Sequence, residues 1–269
     1  MKRKILEEHD FTDYIDFLDK LKDTISSILD LENPAQKSLQ VKEIVDQSLK
    51  FSEENVLAGD FYEGGEILYS AAELLEAIDP EQALILYEKT VDLWNDLIGR
   101  FKLQGKLHEI AEIYLRITEI YADKFQDCKR EKEALLKSID FLKQESELLA
   151  DFGEVRKLTQ NYQNIADLYL KILDYKNAIA HYDKVIELSK EKRYFDLLSF
   201  SYQQVAACYE ELDEYDSAKD RLIEGIEFFE ELVHGYEKKG DDLAIAQISQ
   251  ILKRLYSLMN EEDQYEMYT

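Results

Sequence analysis

Residues 164–185, NIADLYLKILDYKNAIAHYDKV, carry the pattern that decides the fold of this 269-residue chain. Forty residues later, residues 204–225, QVAACYEELDEYDSAKDRLIEG, repeat its spacing of small, aliphatic and aromatic residues. In both copies a small residue is followed twelve residues later by another, as Ala166 is by Ala178. Self-similarity at a fixed period of this length indicates stacked repeat units.

The pattern extends in both directions along the chain. Its small residues recur as Ala72 with Ala83, Ala122 with Ala134, Ala206 with Ala218, and Ala246. A small side chain lets two antiparallel helices approach closely, and an aromatic residue or Leu one turn later fills the groove beside it. A single hairpin buries only part of its apolar face, so successive hairpins must stack. The sequence therefore predicts TPR-like antiparallel helical hairpins, with helices longer than in the standard unit of ~34 residues.

Helix boundaries follow from the capping residues. Both prolines directly follow a capping residue, in Asn33-Pro34 and Asp79-Pro80, and each begins a helix. Gly153 and Gly240 fall between helices, where a left-handed C-cap fits. The predicted helices span residues 11–31, 34–57, 60–78, 80–101, 104–125, 129–150, 155–172, 176–191, 195–211, 215–238 and 242–259.

These helices predict an all-α fold in a single domain over residues 1–269. We expect N-terminal helices in residues 1–58, central hairpins in 59–193 and C-terminal helices in 194–269. The first two helices fit the repeat poorly and are expected to form a cap or an additional hairpin.

Bulk composition excludes several function classes. The net charge of −25 repels nucleic acid and anionic lipid, so no nucleic-acid partner is expected. Cys128 and Cys208 are too few for a disulfide framework or a zinc site, which favours a reducing, cytoplasmic location. No apolar run approaches the ~18 residues that a spanning helix needs. The basic start of the chain lacks the apolar segment of a signal peptide.

The charge is distributed unevenly along the chain. Residues 1–99 carry a net charge of −14, residues 100–193 a charge of +1 and residues 194–269 a charge of −12. The middle segment holds 18 of the 33 Lys and Arg residues. Such an arrangement can present two surfaces of opposite sign, although ordinary salt-bridged helix surfaces would also produce it.

The sequence lacks the motifs of catalysis and nucleotide binding. There is no GxxxxGK[ST], no GxGxxG after a strand and no GxSxG. His108-Glu109 begins an HExxH-like stretch without the second His, and Glu231 with His234 gives one ExxH where a di-iron bundle needs two. Gly64-Gly65 lies in a helical context and is interpreted as a close-packing site. We therefore predict neither enzymatic activity nor a metal or other cofactor.

One segment resembles the centre of a known family, the soluble NSF attachment proteins (SNAPs). It runs from a DPxxA helix start at residues 79–83, through Trp94 and the turn Gly99-Arg100-Phe101, to Lys106 and an Ala-Glu-Ile-Tyr stretch at residues 111–114. The order and spacing of these motifs are similar to those of the family. Single Ala and Tyr positions of the repeat are weaker evidence, because any helical repeat of this kind has them.

The resemblance covers roughly residues 35–260 and implies both a fold and a function. The fold is a right-handed superhelix of TPR-like antiparallel helical hairpins with a C-terminal helical bundle. The function is that of a non-enzymatic adaptor in vesicle-mediated transport and membrane fusion. Such an adaptor binds a SNARE-like helical bundle and recruits an NSF-like AAA+ ATPase, which disassembles the bundle.

The family also implies which residues bind these partners. The Arg of its Gly-Arg-Phe turn and the following Lys contact the bundle, and here they correspond to Arg100 and Lys106. Charge and position add further candidates for this contact: Arg116, Lys129, Arg130, Arg156 and Lys157. The acidic C-terminal end that serves the ATPase corresponds to Glu261, Glu262 and Asp263.

Three departures indicate a divergent member, such as an archaeal or bacterial relative. The N-terminal segment lacks the Phe-rich apolar loop of the eukaryotic family; we interpret its apolar residues as one face of an amphipathic helix packed on its neighbour. These residues are Phe11, Tyr14, Phe17 and Leu18. The family's penultimate Leu is absent, and the C-terminal bundle is one hairpin shorter. Membrane association is therefore expected at most through partners. A generic TPR-like protein- or peptide-binding scaffold or sensor is the alternative function.

Overall fold

The computed structural model describes residues 12–29 and 31–266, and within these ranges the backbone is helical with short turns and no strand. Eleven α-helices occur there, which confirms the predicted all-α fold and the number and order of its helices. They are α1 (Thr12–Leu29), α2 (Pro34–Ala58), α3 (Phe61–Leu75), α4 (Pro80–Gln104), α5 (Leu107–Glu119), α6 (Cys128–Asp151), α7 (Val155–Lys171), α8 (Tyr175–Lys192), α9 (Phe195–Glu210), α10 (Tyr215–Glu237) and α11 (Asp242–Glu266).

The helix ends form where the capping residues predict them. The Asn33 side chain accepts a hydrogen bond from the Ala35 amide at 3.0 Å, and the Asp79 carboxylate accepts one from the Gln82 amide at 3.1 Å. Gly153 has a φ of +68°, a conformation that costs glycine least. One feature was not predicted, a π-helical turn over Ile120–Lys124 that extends α5.

The chain folds as two compact units that divide within α6. The first unit ends at Ser138 and the second begins at Ile139. In the first unit, α3 packs against both α2 and α4, and α4 packs against α5. In the second unit, each helix from α7 to α11 packs against the next in the chain. Packing between consecutive helices confirms the hairpin architecture.

The repeat positions form the core of both units. In the second helix of each predicted hairpin, the small residue and the side chain one turn later are buried. These pairs are Ala83 with Tyr87, Ala134 with Ser138, Ala178 with Tyr182, and Ala218 with Leu222. Two members of the pattern do not follow it. Ala122 is half-buried within the π-helical turn, and Ala246 is exposed, because α11 buries Ile248 and Leu255 instead.

The first helix packs on its neighbours as the amphipathic pattern predicts. The ring of Phe17 stacks on that of Phe51 in α2, with centroids 4.5 Å apart. The Tyr14 hydroxyl lies 3.1 Å from the Ser70 hydroxyl in α3. Phe11, which we assigned to the same face, lies outside the described residues.

The Gly64-Gly65 pair is a point of close approach between helices of the first unit, which confirms its interpretation as a packing site. The Ser52 hydroxyl of α2 donates a hydrogen bond to the Gly64 carbonyl at 2.8 Å. A Cβ on Gly65 would lie 2.2 Å from the indole nitrogen of Trp94, which is fully buried in α4. In the second unit, a Cβ on Gly225 would lie 2.9 Å from the ring of Tyr202. Glycine therefore leaves the space that a large aromatic ring of the adjacent helix occupies.

A partly buried ion pair ties α5 back to α3. The Arg116 guanidinium lies 2.6 Å from the Glu66 carboxylate and 3.5 Å from that of Glu119. Its central carbon lies 5.0 Å from the centre of the Tyr69 ring and 5.5 Å from that of Trp94. Only 26% of the Arg116 side chain is exposed, so this cation is part of the packing between helices.

We expect Gly65→Ala to lower the free energy of unfolding by about 1–3 kcal/mol, because the added methyl group must displace the buried Trp94 ring. The matched control is Gly99→Ala in α4, where an added Cβ meets nothing within 4 Å. That change should raise stability by about 0.5–1 kcal/mol, since Ala favours a helix over Gly. Urea unfolding followed by Trp94 fluorescence measures both, and equal effects would contradict the packing role.

We expect Arg116→Met to lower the free energy of unfolding by about 2 kcal/mol, since it leaves the Glu66 carboxylate half-buried without its cation. The double variant Glu66→Gln with Arg116→Met should cost less than the sum of the two single changes. Urea unfolding of the four proteins completes this cycle. Additive losses would show that the two side chains stabilise the fold independently.

Candidate functional site

The seven basic residues predicted to bind a partner fall into two groups, those paired with a carboxylate of the same chain and those without such a pair. Three are paired with a carboxylate of the same chain: Arg116, Arg130 and Lys157. For four others, the described part of the chain places no carboxylate within ion-pair distance: Arg100, Lys106, Lys129 and Arg156. A cation with no carboxylate beside it is the better candidate for an acidic partner, because binding then breaks no existing pair.

Arg100 is an exposed side chain held on an aromatic ring. It lies near the C-terminal end of α4, and its guanidinium carbon sits 3.7 Å above the centre of the Phe61 ring. Phe61 is the first residue of α3 and is itself buried, so the ring is a fixed support. A stacked guanidinium keeps the N–H groups along its edge available for a carboxylate.

Lys106 repeats this arrangement in the turn that follows α4. Its ammonium group lies 4.7 Å from the centre of the Phe101 ring, and the side chain is exposed. The turn is fixed by Gly105 at a φ of +67° and by a hydrogen bond from the Lys106 amide to the Phe101 carbonyl at 3.1 Å. Arg100 and Lys106 therefore lie at the same end of the α4–α5 hairpin, each against a ring.

The other uncompensated cations are less ordered by their surroundings. Lys129 is exposed near the start of α6, and its backbone amide donates to the Asp127 carboxylate at 3.1 Å. Arg156 lies in the second unit, in the first turn of α7, with its guanidinium carbon 5.9 Å from the Tyr194 ring. Both keep a positive charge at the surface.

The paired cations are already engaged at short distance. Arg130 lies 2.7 Å from Asp127, and Lys157 lies 3.2 Å from Glu154. Hydrogen bonds from the backbone amide and the side chain of Arg130 lower the pKa of Asp127. Arg116 is held by Glu66 inside the first unit, as described above.

The acidic residues predicted to bind the ATPase fall at the end of α11. Glu261, Glu262 and Asp263 all lie within that helix, while their side chains are outside the described part of the structure. Their helical backbone places them beyond Met259.

A small pocket beside Arg116 is lined by side chains of the first unit. Its walls are Tyr62, Phe101, Glu109, Glu112, Ile113 and Arg116. Burial, followed by the nearby Glu66 carboxylate, raises the pKa of Tyr62 to about 12.

The histidines that resembled metal motifs have ordinary partners. His108 lies 3.4 Å from Glu112, and His234 lies 3.4 Å from Glu237. His181 is buried beside the Asn177 carbonyl, and burial lowers its pKa. Within the described residues, no three His, Cys, Asp or Glu side chains are grouped to hold a metal ion.

Sequence reasoning found the cations but missed the rings that hold them. Phe101 lies five residues before Lys106, and the turn at Gly105 brings the two together. This contact could have been inferred from the sequence. Phe61 lies 39 residues before Arg100, and no local spacing connects the two.

None of the described helices combines the length and apolarity needed to span a bilayer.

Comparison with family models identifies a family that matches the central part of the chain. The family model described as "Soluble NSF attachment protein, SNAP" matches residues 46–196, more than half of the chain. The matched segment contains Gly99-Arg100-Phe101, which was expected to form a turn and which the structure places inside α4. It also contains every basic residue predicted to bind a partner.

A shorter match joins the chain to a curated protein of Bacillus subtilis. Response regulator aspartate phosphatase I is 33% identical over 75 residues, which is 28% of this chain. The match spans only 19% of that relative, about a fifth of its length.

Solved helical-repeat structures are similar at low sequence identity. The apo form of RapI is 15% identical with a TM-score of 0.40, over 94% of this chain and 74% of that chain. A signal transduction ATPase with a tetratricopeptide repeat sensor, from Pyrococcus horikoshii, is 16% identical with a TM-score of 0.32. That match covers 87% of this chain and 36% of the other. Such scores carry no information on function.

The family match and the stacked hairpins together describe a helical-repeat, protein-binding adaptor. The match extends across the end of the first unit into the second, so it is not confined to one hairpin. The chain belongs to the soluble NSF attachment protein family.

Proposed function

We propose that this protein is an adaptor that binds a SNARE-like helical bundle and recruits an NSF-like AAA+ ATPase to disassemble it. The observation that supports this proposal most is the state of Arg100 in the Gly-Arg-Phe motif near the C-terminal end of α4. The side chain is exposed, stacked on Phe61 and without a carboxylate partner among the described residues. Such a cation is available to an acidic helix.

The aromatic supports favour binding because they order the cations in advance. Arg and Lys side chains lose roughly 2 kcal/mol of rotamer freedom when they are fixed. Stacking of Arg100 on Phe61 and of Lys106 on Phe101 removes part of that freedom before the partner arrives. The attraction itself is electrostatic, so it should steer association and weaken as salt increases.

The acidic end of the chain is the proposed contact for the ATPase. Residues 194–269 carry a net charge of −12, and Glu261, Glu262 and Asp263 lie in the last turns of α11. A surface of this sign attracts a basic domain and repels a second acidic one. The two proposed contacts thus use opposite charges and different helices.

A second candidate is a scaffold or sensor for another protein or peptide. The observation that favours it is the identity of 33% over 75 residues with the response regulator aspartate phosphatase of Bacillus subtilis. Failure of the folded protein to bind any four-helix bundle would favour this candidate over the first.

We expect the double variant Arg100→Glu with Lys106→Glu to weaken binding to a purified four-helix SNARE bundle by about tenfold or more. The reversed charges repel the acidic partner, and both side chains are exposed, so helicity should not change. Isothermal titration calorimetry and circular dichroism measure the two effects.

The matched control for this variant is Lys253→Glu with Arg254→Glu in α11. It makes the same change in net charge at two exposed cations of the second unit. Bundle affinity should stay within about twofold of the unchanged protein, as expected for charges that are not part of the proposed contact. An equal loss in both variants would mean that net charge, and not these two positions, governs binding.

We expect Glu261→Gln, Glu262→Gln and Asp263→Asn together to reduce recruitment of an NSF-type ATPase to the bundle while leaving bundle binding intact. The three carboxylates supply the attraction for a basic domain. The control neutralises Asp220, Glu227 and Glu231, three exposed acids of α10. Pull-down of the ATPase by the bundle with the adaptor bound measures recruitment for the α11 variant and for the α10 control. Unchanged recruitment by the α11 variant would show that Glu261, Glu262 and Asp263 are not part of the contact.

A further inference from the structure

Two leucines of the first unit are almost completely exposed. Leu57 is 87% exposed and Leu103 is 91% exposed, the highest values among the large apolar side chains that the structure describes. Scattered exposed apolar residues are normal on a protein surface. These two differ because they occupy equivalent positions, Leu57 in the last turn of α2 and Leu103 in the last turn of α4.

Each leucine lies two residues before a glycine that ends a helix. Gly59 ends α2 with a φ of +101°, and Gly105 ends α4 with a φ of +67°. Since α3 packs against both α2 and α4, the turns after α2 and after α4 lie at the same edge of the first unit. The contact of Arg100 with Phe61, the first residue of α3, joins the C-terminal end of α4 to the start of α3.

The proposed docking cations lie at this same edge. Leu103 follows Arg100 by three residues on α4, a spacing that places two side chains on neighbouring positions of a helix surface. Lys106 follows Leu103 in the next turn. The edge therefore carries two exposed apolar side chains together with two cations for which the described chain supplies no carboxylate.

We propose that Leu57, Leu103, Arg100 and Lys106 form one docking edge, whose occupant is a partner α-helix that exposes apolar side chains beside carboxylates. This inference rests on the proposed function and specifies the chemistry of the partner surface. The two cations attract the carboxylates of such a helix, and the leucines remove its apolar side chains from water.

A lipid surface is the less suitable occupant. The first 99 residues carry a net charge of −14, which repels an anionic bilayer at short range. Two leucine side chains alone provide little apolar area for insertion, whereas known interfacial segments bury a whole helix face. A helix with acidic and apolar residues satisfies both kinds of side chain at once.

The test replaces both leucines by glutamine and measures binding to a purified four-helix SNARE bundle at low and high salt. Leu57→Gln with Leu103→Gln should weaken binding by about tenfold or more, as expected when two apolar contacts are lost. The salt dependence of the affinity should stay unchanged, since no charge is removed. Both side chains are exposed, so the unfolding transition should not move.

The matched control is Leu173→Gln with Leu243→Gln, two leucines of the second unit that are 69% and 72% exposed. This control should bind as the unchanged protein does. Equal affinity of the Leu57/Leu103 variant and the control would show that the two leucines do not contact the partner, which would overturn this inference. The proposed function would stand in that case if Arg100→Glu with Lys106→Glu still weakened binding.

Failure of the unchanged protein to bind the bundle would instead remove the proposed function itself. Flotation with vesicles of phosphatidylcholine and phosphatidylserine tests the lipid alternative. Leucine-dependent flotation, together with leucine-independent bundle binding, would overturn the assignment of a helical partner.

Discussion

Close approach of neighbouring helices is the constraint on which the rest of the structure depends. Gly65 leaves room for the Trp94 ring, and Gly225 leaves room for the Tyr202 ring. Because an interior is packed without gaps, a side chain added at either point must move a buried ring. The same closeness brings Arg116 of α5 within reach of Glu66 in α3. Packing of the helices in the first unit therefore also brings charges of separate helices together.

The pairing of charges then determines which cations remain for a partner. Arg116 is paired with Glu66, and Arg130 is paired with Asp127. A partner could bind either cation only by breaking that ion pair. Arg100 and Lys106 rest on aromatic rings, which order a side chain without neutralising it. An acidic protein thus keeps a small basic edge on a family-matched segment. The proposed leucines add apolar contacts to that edge, which gives it selectivity for an amphipathic helix.

Much of the fold was open to prediction because it follows from local patterns. The small residues at fixed spacing gave the hairpins, and the two Asx-Pro pairs gave helix starts that the structure confirms. The prediction was wrong at Ala246, where the repeat register is lost and α11 buries other residues. It also missed the π-helical turn at Ile120–Lys124, since one additional residue in a helical turn leaves no clear mark on hydrophobic periodicity.

The sequence by itself determined the helices, the family and the identity of the basic residues. Periodicity, caps and the Gly-Arg-Phe motif are properties of neighbouring residues in the sequence. Only the tertiary structure decided which cations are paired and which are exposed. Glu66 and Arg116 are 50 residues apart, as Phe61 and Arg100 are 39 apart, and contacts of that range form only when helices pack.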